Sequence, residues 1–299
     1  MPKKRKAAPT KEPDEKTFIH SNNAVLIGDI HAGCKLSVYP TDPDILLDLG
    51  VGHKPSKLQR TITGYFYEFF DHYVPAFCEG EPYVLILAGD SLDGRHHKSV
   101  TQVSQNIADQ LKIAEALLRP IIERPECKAL YMIRGTEAHV GPSAENEETL
   151  AKTLGAIPDK EGHFSRFVLK KIIGNPKGAN CLIHAMHHIG TTGSQAFEST
   201  AVMKEITESF IEAARWGTRP PDYIVRAHRH RFIHVRIATR NERAEGIVLP
   251  GWQGLTPFTY KLPGSRMAVP QFGGVVIRQG KEEHYSRQKV WPIYGPEEE

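Results

Sequence analysis

The chain has 299 residues, 40% hydrophobic and 24% charged, a globular balance that allows one large α/β domain or two smaller ones. No apolar run approaches the roughly 18 residues of a membrane span, and the N-terminus MPKKRKAAPTKEPDEK lacks the apolar stretch of a secretory signal. Lys plus Arg number 38 against 35 Asp plus Glu, a net charge of +3. Outside residues 1–16 the two signs balance, which argues against a duplex-binding domain built on a basic face.

The Lys3–Lys6 run fits a nuclear-localisation patch or a nucleic-acid arm, but Pro2, Pro9 and Pro13 favour a solvated tail. The expected division is a disordered basic tail over 1–20 and a single domain over 21–299. Cys34, Cys78, Cys127 and Cys181 lie 44, 49 and 54 residues apart with no CxxC pair. That spacing is neither a disulfide framework nor a zinc ribbon and fits a reducing cytoplasm, with Cys34 a packed thiol rather than a nucleophile.

In chain order, Asn23–Gly28 reads as a short buried parallel strand, followed over 34–60 by an aperiodic excursion or lid. Tyr65, Phe66, Phe69, Phe70 and Tyr73 are spaced like one face of a helix over 61–78, an aromatic stripe better suited to core packing than to a ligand. Tyr83–Ala88 is a second buried strand. Val103, Ile107, Leu111, Ala114 and Leu118 predict a helix over 99–119, ended by Pro120. Ala129–Ile133 is a third strand and Glu145–Leu154 a short helix. Arg166–Ile173 and Cys181–Met186 read as strands joined by a Gly-Asn-Pro-Lys-Gly turn. An amphipathic helix is expected over 195–215 and a strand over Tyr223–Arg226, with antiparallel strands over 232–240, 246–250 and 273–278.

The 15 histidines are unevenly placed: His96–His97, His184–His187–His188 and His228–His230–His234. More telling is where the polar residues fall. Strand one runs into Gly28-Asp29-Ile30-His31, strand two into Gly89-Asp90, strand three into Arg134-Gly135-Thr136-Glu137-Ala138-His139. Later strands deliver His187-His188 and His228-Arg229-His230. An Asp after a strand is most often a cap or turn former, and a lone His most often a packed or surface residue. Five such endings in one α/β sheet system converge on one crevice, and that favours a metal centre. Carboxylate and imidazole suit Mn, Fe, Zn or Ni rather than a thiolate-seeking metal. Two ions roughly 3.5–4 Å apart need a bridging carboxylate, and they make a bridging hydroxide available at neutral pH. Asp-X-His and His-X-His are expected to aim alternate side chains to one side of an extended backbone.

This ordered set resembles the calcineurin-like metallophosphoesterase superfamily over residues 24 to about 254. The resemblance implies a four-layer α/β/β/α sandwich with mixed sheets and two divalent metals at the strand ends. On it, Asp29, His31 and His230 hold the first metal, Asp90 bridges, and His187 and His228 hold the second. His187 is taken as the first of the pair at its strand's end, with His184 packed inside the strand and His188 the fallback.

The third motif departs from the family's Gly-Asn-His-Asp/Glu: Thr136 takes the metal-binding Asn position, Glu137 offers a carboxylate instead, and His139 comes two places late. His139 is the expected general acid or phosphate contact. The GTEAH form is similar to phage and prophage members, which implies a bacterial or phage-infected host cytoplasm. Asp93-Gly94-Arg95 displaces by one the phosphate-binding Arg of related serine/threonine phosphatases. Arg95, with His96 and His97, is a candidate anion contact or simply a polar loop, and Asp93 a candidate for orienting a ligand. Trp252, in Gly251-Trp252-Gln253-Gly254, either flanks the substrate or belongs to the core.

The expected function is hydrolysis of a phosphate mono- or diester, a nucleotide or single-stranded nucleic acid included, by in-line attack of a metal-bridging hydroxide. The alternative is a scaffold that kept the fold and lost turnover, motivated by Thr136. Other metallohydrolase folds fit less well, since no HxHxDH run is present and His-X-His comes late in the chain.

Overall fold

The computed structural model describes residues 19–41, 45–96, 98–190, 194–239, 242–261 and 269–292. The Lys3–Lys6 tail and His97 lie outside the described residues. Eleven strands are described: β1 (Asn23–Ile27), β2 (Tyr83–Leu87), β3 (Cys127–Ile133), β4 (Ser165–Arg166), β5 (Leu169–Gly174), β6 (Asn180–Ala185), β7 (Tyr223–Arg226), β8 (Ile233–Thr239), β9 (Glu242–Val248), β10 (Gln271–Gln279) and β11 (His284–Pro292). The α-helices are α1 (Lys57–Glu68), α2 (Val74–Cys78), α3 (Ile107–Ile122), α4 (Glu137–Val140), α5 (Glu145–Thr153) and α6 (Glu198–Trp216).

The strands form a six-stranded sheet, β11-β10-β1-β2-β3-β4, and a five-stranded sheet, β5-β6-β7-β9-β8. β1 pairs parallel with β2, β2 with β3, and β3 with β4; β6 pairs parallel with β7, and β7 with β9. β10 runs antiparallel to β1, and β8 antiparallel to β9, so both sheets are mixed.

Every residue of β1 and β2 is buried because each strand feeds two cores. Val25, Ile27, Leu85 and Leu87 face Ile62, Phe66, Ile113 and Leu117 of α1 and α3. Ala24, Leu26, Val84 and Ile86 face the other way, against Ile183, Ala185, Tyr223 and Val225 of the second sheet. That sheet's outer face packs Ile224, Ile233 and Val248 under Val202 and Ile206 of α6. The three apolar interfaces define the four-layer α/β/β/α sandwich, and period-two alternation through a doubly covered strand explains the unbroken apolar runs.

Several elements differ from expectation. Helix α3 begins at Ile107 rather than residue 99, behind an Asn106 side chain that caps the Ala108 N–H. Residues 99–105 pair instead with the loop after β1: Lys35 donates to the Thr101 carbonyl and Val103 to that of Gly33. Pro120 lies inside the last turns of α3 rather than beyond it. Arg166 belongs to β4 in the six-stranded sheet, so the chain crosses between sheets before β5. The aromatic stripe expected as one helix is α1 and α2 joined by a π-helical stretch, Phe69–Tyr73. Its rings pack in the core with Trp252, which is fully buried. β9 is antiparallel to β8 yet parallel to β7, and β11 adds an edge strand to the six-stranded sheet.

Candidate metal centre

All the candidate ligands follow the carboxyl ends of strands: Asp29 and His31 after β1, Asp90 after β2, Thr136 and His139 after β3, His187 and His188 after β6, His228 and His230 after β7. Backbone bonds carry the β1–β2 pairing onward: Asp29 N–H donates to the Gly89 carbonyl, His31 to Asp90 and Ala32 to Ser91. The two sheets meet here, because the His228 N–H donates to Asp29 Oδ2 at 2.9 Å.

The extended backbone expected for Asp-X-His and His-X-His is not what positions these side chains. Asp29, His31, Asp90, His228 and His230 have φ of 52, 48, 50, 72 and 52°, five of the eight described non-glycine residues with positive φ. Left-handed backbone costs a non-glycine residue on the order of 1–3 kcal/mol and persists where its surroundings dictate it, typically at functional sites. Tight turns, not pleated strands, aim the paired residues inward.

Two clusters result. In the first, the His230 Nε2 is 3.4 Å from Asp29 Oδ1 and 3.1 Å from His31 Nε2. In the second, His187 Nε2 is 3.1 Å from Asp90 Oδ2 and 3.3 Å from His228 Nδ1. Ligands about 2.1 Å from one ion stand roughly 3.0–3.4 Å apart in octahedral or tetrahedral geometry, and these spacings match. Asp29 Oδ1 is buried without a hydrogen-bond partner, as expected of an atom shaped for something else, while His31 Nδ1, 3.6 Å from Asp93 Oδ1, leaves Nε2 as the nitrogen facing the cluster. His187 Nδ1 donates to the Ala88 carbonyl at 2.7 Å, which leaves Nε2 with the lone pair facing Asp90. The donor set therefore fits divalent cations at Asp29/His31/His230 and at His187/His188/His228, with Asp29, Asp90 and His187 a third grouping between them.

The electrostatics agree. Burial would raise the Asp90 carboxyl, but His187 beside it, with His139 and His31, holds it well below the usual range. Burial likewise opposes ionisation of Asp29, and His230 outweighs it. Conversely, Asp90 and Asp29 overcome burial and lift His187 to about 10, and Asp29 raises His230. Burial, then the positive charge of neighbouring rings, pushes His31 and His228 down to about 4. Here the imidazoles of His187 and His230 balance the two buried carboxylates, a positive charge that bound cations could supply instead.

Thr136 sits at the middle of the second cluster. It precedes α4, yet its hydroxyl does not cap that helix. Instead Oγ1 lies 3.2 Å from Asp90 Oδ2, 3.3 Å from His187 Nε2, 3.4 Å from His188 Nε2 and 3.2 Å from His228 Nδ1. Both His187 and His188 thus reach this cluster, while His184 turns to Arg226. Glu137 is exposed on α4, outside the clusters. His139 lies beside the first cluster, its ring 4.5 Å from that of His31 and its Nε2 4.0 Å from Asp90 Oδ2. Arg95 is exposed, and its Nε donates to the Gln105 carbonyl. The structure therefore brings together all the expected ligands and His139, but not Arg95.

One residue went unnoticed in the sequence. Glu147 of α5 is fully buried; its carboxylate accepts from the Ser91 N–H and hydroxyl and, at 2.6 Å, from the Gly135 N–H. It ties the β2 and β3 loops together beneath Asp90, and burial followed by the Asp90 charge pushes it up to about 7. Nothing in the acidic run Glu145–Glu148 distinguishes it. Two glycines make the same junction possible. A Cβ on Gly89, whose φ is +88°, would fall 2.6 Å from His187 Nδ1, and one on Gly135 would strike the Asp90 carboxylate and N–H.

No family model matches the chain, and no curated protein matches it. Among solved structures, vacuolar protein sorting 29 from Cryptosporidium parvum is similar at 13% identity and a TM-score of 0.31, over 92% of this chain and 100% of that one. The sulfate thiohydrolase SoxB of Thermus thermophilus is similar at 11% identity and a TM-score of 0.36, over 92% of this chain and 57% of that one. A conserved uncharacterized protein of Streptococcus pneumoniae TIGR4, described as a predicted phosphoesterase, is similar at 8% identity and a TM-score of 0.31, over 92% and 100%. These likenesses are distant; the fold is defined by the two sheets and three apolar interfaces described above. No described helix is long and apolar enough to cross a membrane.

Proposed function

We propose that the chain is a metal-dependent phosphoesterase that hydrolyses a phosphate mono- or diester, with a nucleotide or single-stranded nucleic acid within its range. The observation that carries this reading is Asp90: its carboxylate belongs to a group with His31 and His139 and to another with Asp29 and His187. On this reading that one carboxylate would serve two cations. Divalent ions held there would supply a water of lowered pKa and neutralise charge developing on phosphoryl oxygens.

The chain's own residues do the rest. Asp29, His31 and His230 would hold one ion and His187 and His228, with His188 and the Thr136 hydroxyl alongside, the other, with Asp90 placed to serve both. The Thr136 N–H donates to Asp90 Oδ1 at 2.6 Å and fixes the carboxylate's orientation. His139 Nδ1 donates to the Asp93 carbonyl at 2.6 Å, so Nε2, on the Asp90 side, is the atom that takes or gives a proton to a leaving oxygen. Thr136 favours the scaffold alternative, but strained backbone at five ligand positions is a cost that a merely structural fold need not keep.

The test is hydrolysis of bis-p-nitrophenyl phosphate and p-nitrophenyl phosphate with added Mn²⁺, wild type against Asp90→Ala. Metal-dependent turnover that falls at least a hundredfold in Asp90→Ala is expected. Metal-loaded wild type with no turnover on either ester would favour the scaffold.

A further inference from the structure

A further group of metal-ligating side chains adjoins the centre, sharing His139 with it and facing His31 through Asp93, whose Oδ1 is 3.6 Å from His31 Nδ1. Asp93, His96 and His139 bring one ligand atom each to within 4.8 Å of one another. Asp93 Oδ1 is 3.5 Å from His96 Nε2, and the His96 and His139 rings are 4.4 Å apart. Asp93 is fully buried and the His96 side chain is 5% exposed. This is an interior pocket rather than a surface cluster.

The pocket is built in advance. The Gln253 amide donates to Asp93 Oδ1 at 2.9 Å and the Gln102 amide to Oδ2 at 2.8 Å, which locks the carboxylate. The Gly94 N–H donates to Gln110 Oε1 and fixes the loop that carries His96. Arg95 points away, to the Gln105 carbonyl. One carboxylate oxygen and two imidazoles, with the Asp93–His96 spacing near the roughly 3.4 Å of a tetrahedral site, suit Zn²⁺ or Mn²⁺ completed by water.

We propose that Asp93, His96 and His139 form a third cation site whose filling withdraws His139 from proton donation. With the Nδ1 proton held by the Asp93 carbonyl, the lone pair given to that cation is the one on Nε2, which then cannot carry a proton toward Asp90. The site is then a brake, filled only when divalent metal is abundant, because it offers three ligands and one charge where the main centre offers more of both. The inhibitory consequence rests on the phosphoesterase reading; the site itself does not.

The test is metal stoichiometry of the full chain, equilibrated with excess Zn²⁺ or, separately, Mn²⁺ and analysed by mass spectrometry of the elements. His96→Ala and the more conservative His96→Gln are compared with wild type. Both variants holding one ion fewer than wild type is expected, three falling to two. Either folded variant holding as many ions as wild type overturns the site, whatever the total. A wild type with one ion that both His96 variants lose would support this site while contradicting the dinuclear centre, so the two claims fail separately. In the ester assay, wild-type rate should pass through a maximum and fall at high metal, and His96→Ala should need at least tenfold more metal for the same fall. Identical inhibition curves would overturn the brake.

Discussion

His31 Nε2 lies 3.1 Å from His230 Nε2, although 199 residues and two different sheets separate them. One of these ring nitrogens can donate to the other, and a divalent cation bound by both would take the place of that proton. The same relation holds across the second cluster, where His187 from β6 meets Asp90 from β2. Each candidate ion would therefore clasp one sheet to the other.

Metal binding is accordingly expected to stabilise the fold. A ligand that binds only the folded chain adds about 2.7 kcal/mol at a hundredfold excess over its Kd. The melting temperature of chelator-treated protein should rise by several degrees on adding Mn²⁺ or Zn²⁺, and that rise should shrink in Asp90→Ala. An unchanged melting curve would speak against cations between the sheets.

Binding should also expel protons. Asp90 and Asp29 hold His187 at about 10, so its ring carries a proton at neutral pH that a cation must displace, and Asp29 shifts His230 in the same direction. Apparent metal affinity should rise with pH, roughly tenfold per unit for each proton displaced, and level off only toward the His187 value. Calorimetric titration in buffers of different ionisation enthalpy reads the protons released. Affinity independent of pH between 6 and 8 would contradict this charge assignment.

Gly135→Ala should damage the centre selectively. Its methyl would press on the Asp90 carboxylate and N–H, an overpacking that costs about 1–3 kcal/mol and displaces a ligand. Metal affinity should fall more than tenfold. Gly64→Ala is the control: Gly64 is exposed within α1 with open space around it, and there alanine should add about 0.5–1 kcal/mol to stability. Full metal affinity in Gly135→Ala would show that the β3 loop has room the structure does not reveal.

At the other end of the strands, Glu245 contributes to the pH dependence of stability. Its buried carboxylate bonds His234 at 2.7 Å, Arg243 at 2.7 Å and Ser286 of the opposite sheet at 2.9 Å. Burial would raise this carboxyl from 4.5, but those partners outweigh it and bring it to about 2. A depressed folded pKa means the contribution is full above the unfolded value and is lost as pH falls through about 4.5 toward 2. Glu245→Gln should cost about 2–3 kcal/mol at pH 7, with the gap to wild type closing below pH 4.5 in denaturant titrations. A gap that stays constant down to pH 2 would contradict the assignment.

The ligand set was legible because chemistry and topology share an address. Asp29, Asp90, His187 and His228 each follow an apolar run, and the carboxyl ends of such runs converge in an α/β sheet. How the ligands are aimed was not legible, since no sequence pattern announces a left-handed aspartate or histidine. Glu147 stayed hidden because a carboxylate within an acidic helix looks like solvated surface. The start of α3 is not legible in the sequence, because Val103 keeps the helical period yet pairs with Gly33, a contact only the folded loops define. Arg95 shows the limit of motif logic: one place from the family position, its guanidinium satisfies a local carbonyl instead.

The central claim is that Asp90 stands between two cations, and a Mn²⁺-soaked crystal measured across the manganese absorption edge tests it most directly. Two anomalous peaks are predicted, one among Asp29, His31, Asp90 and His230, the other among Asp90, His187, His188 and His228. A single peak remote from Asp90, or none at saturating Mn²⁺, would contradict the dinuclear centre.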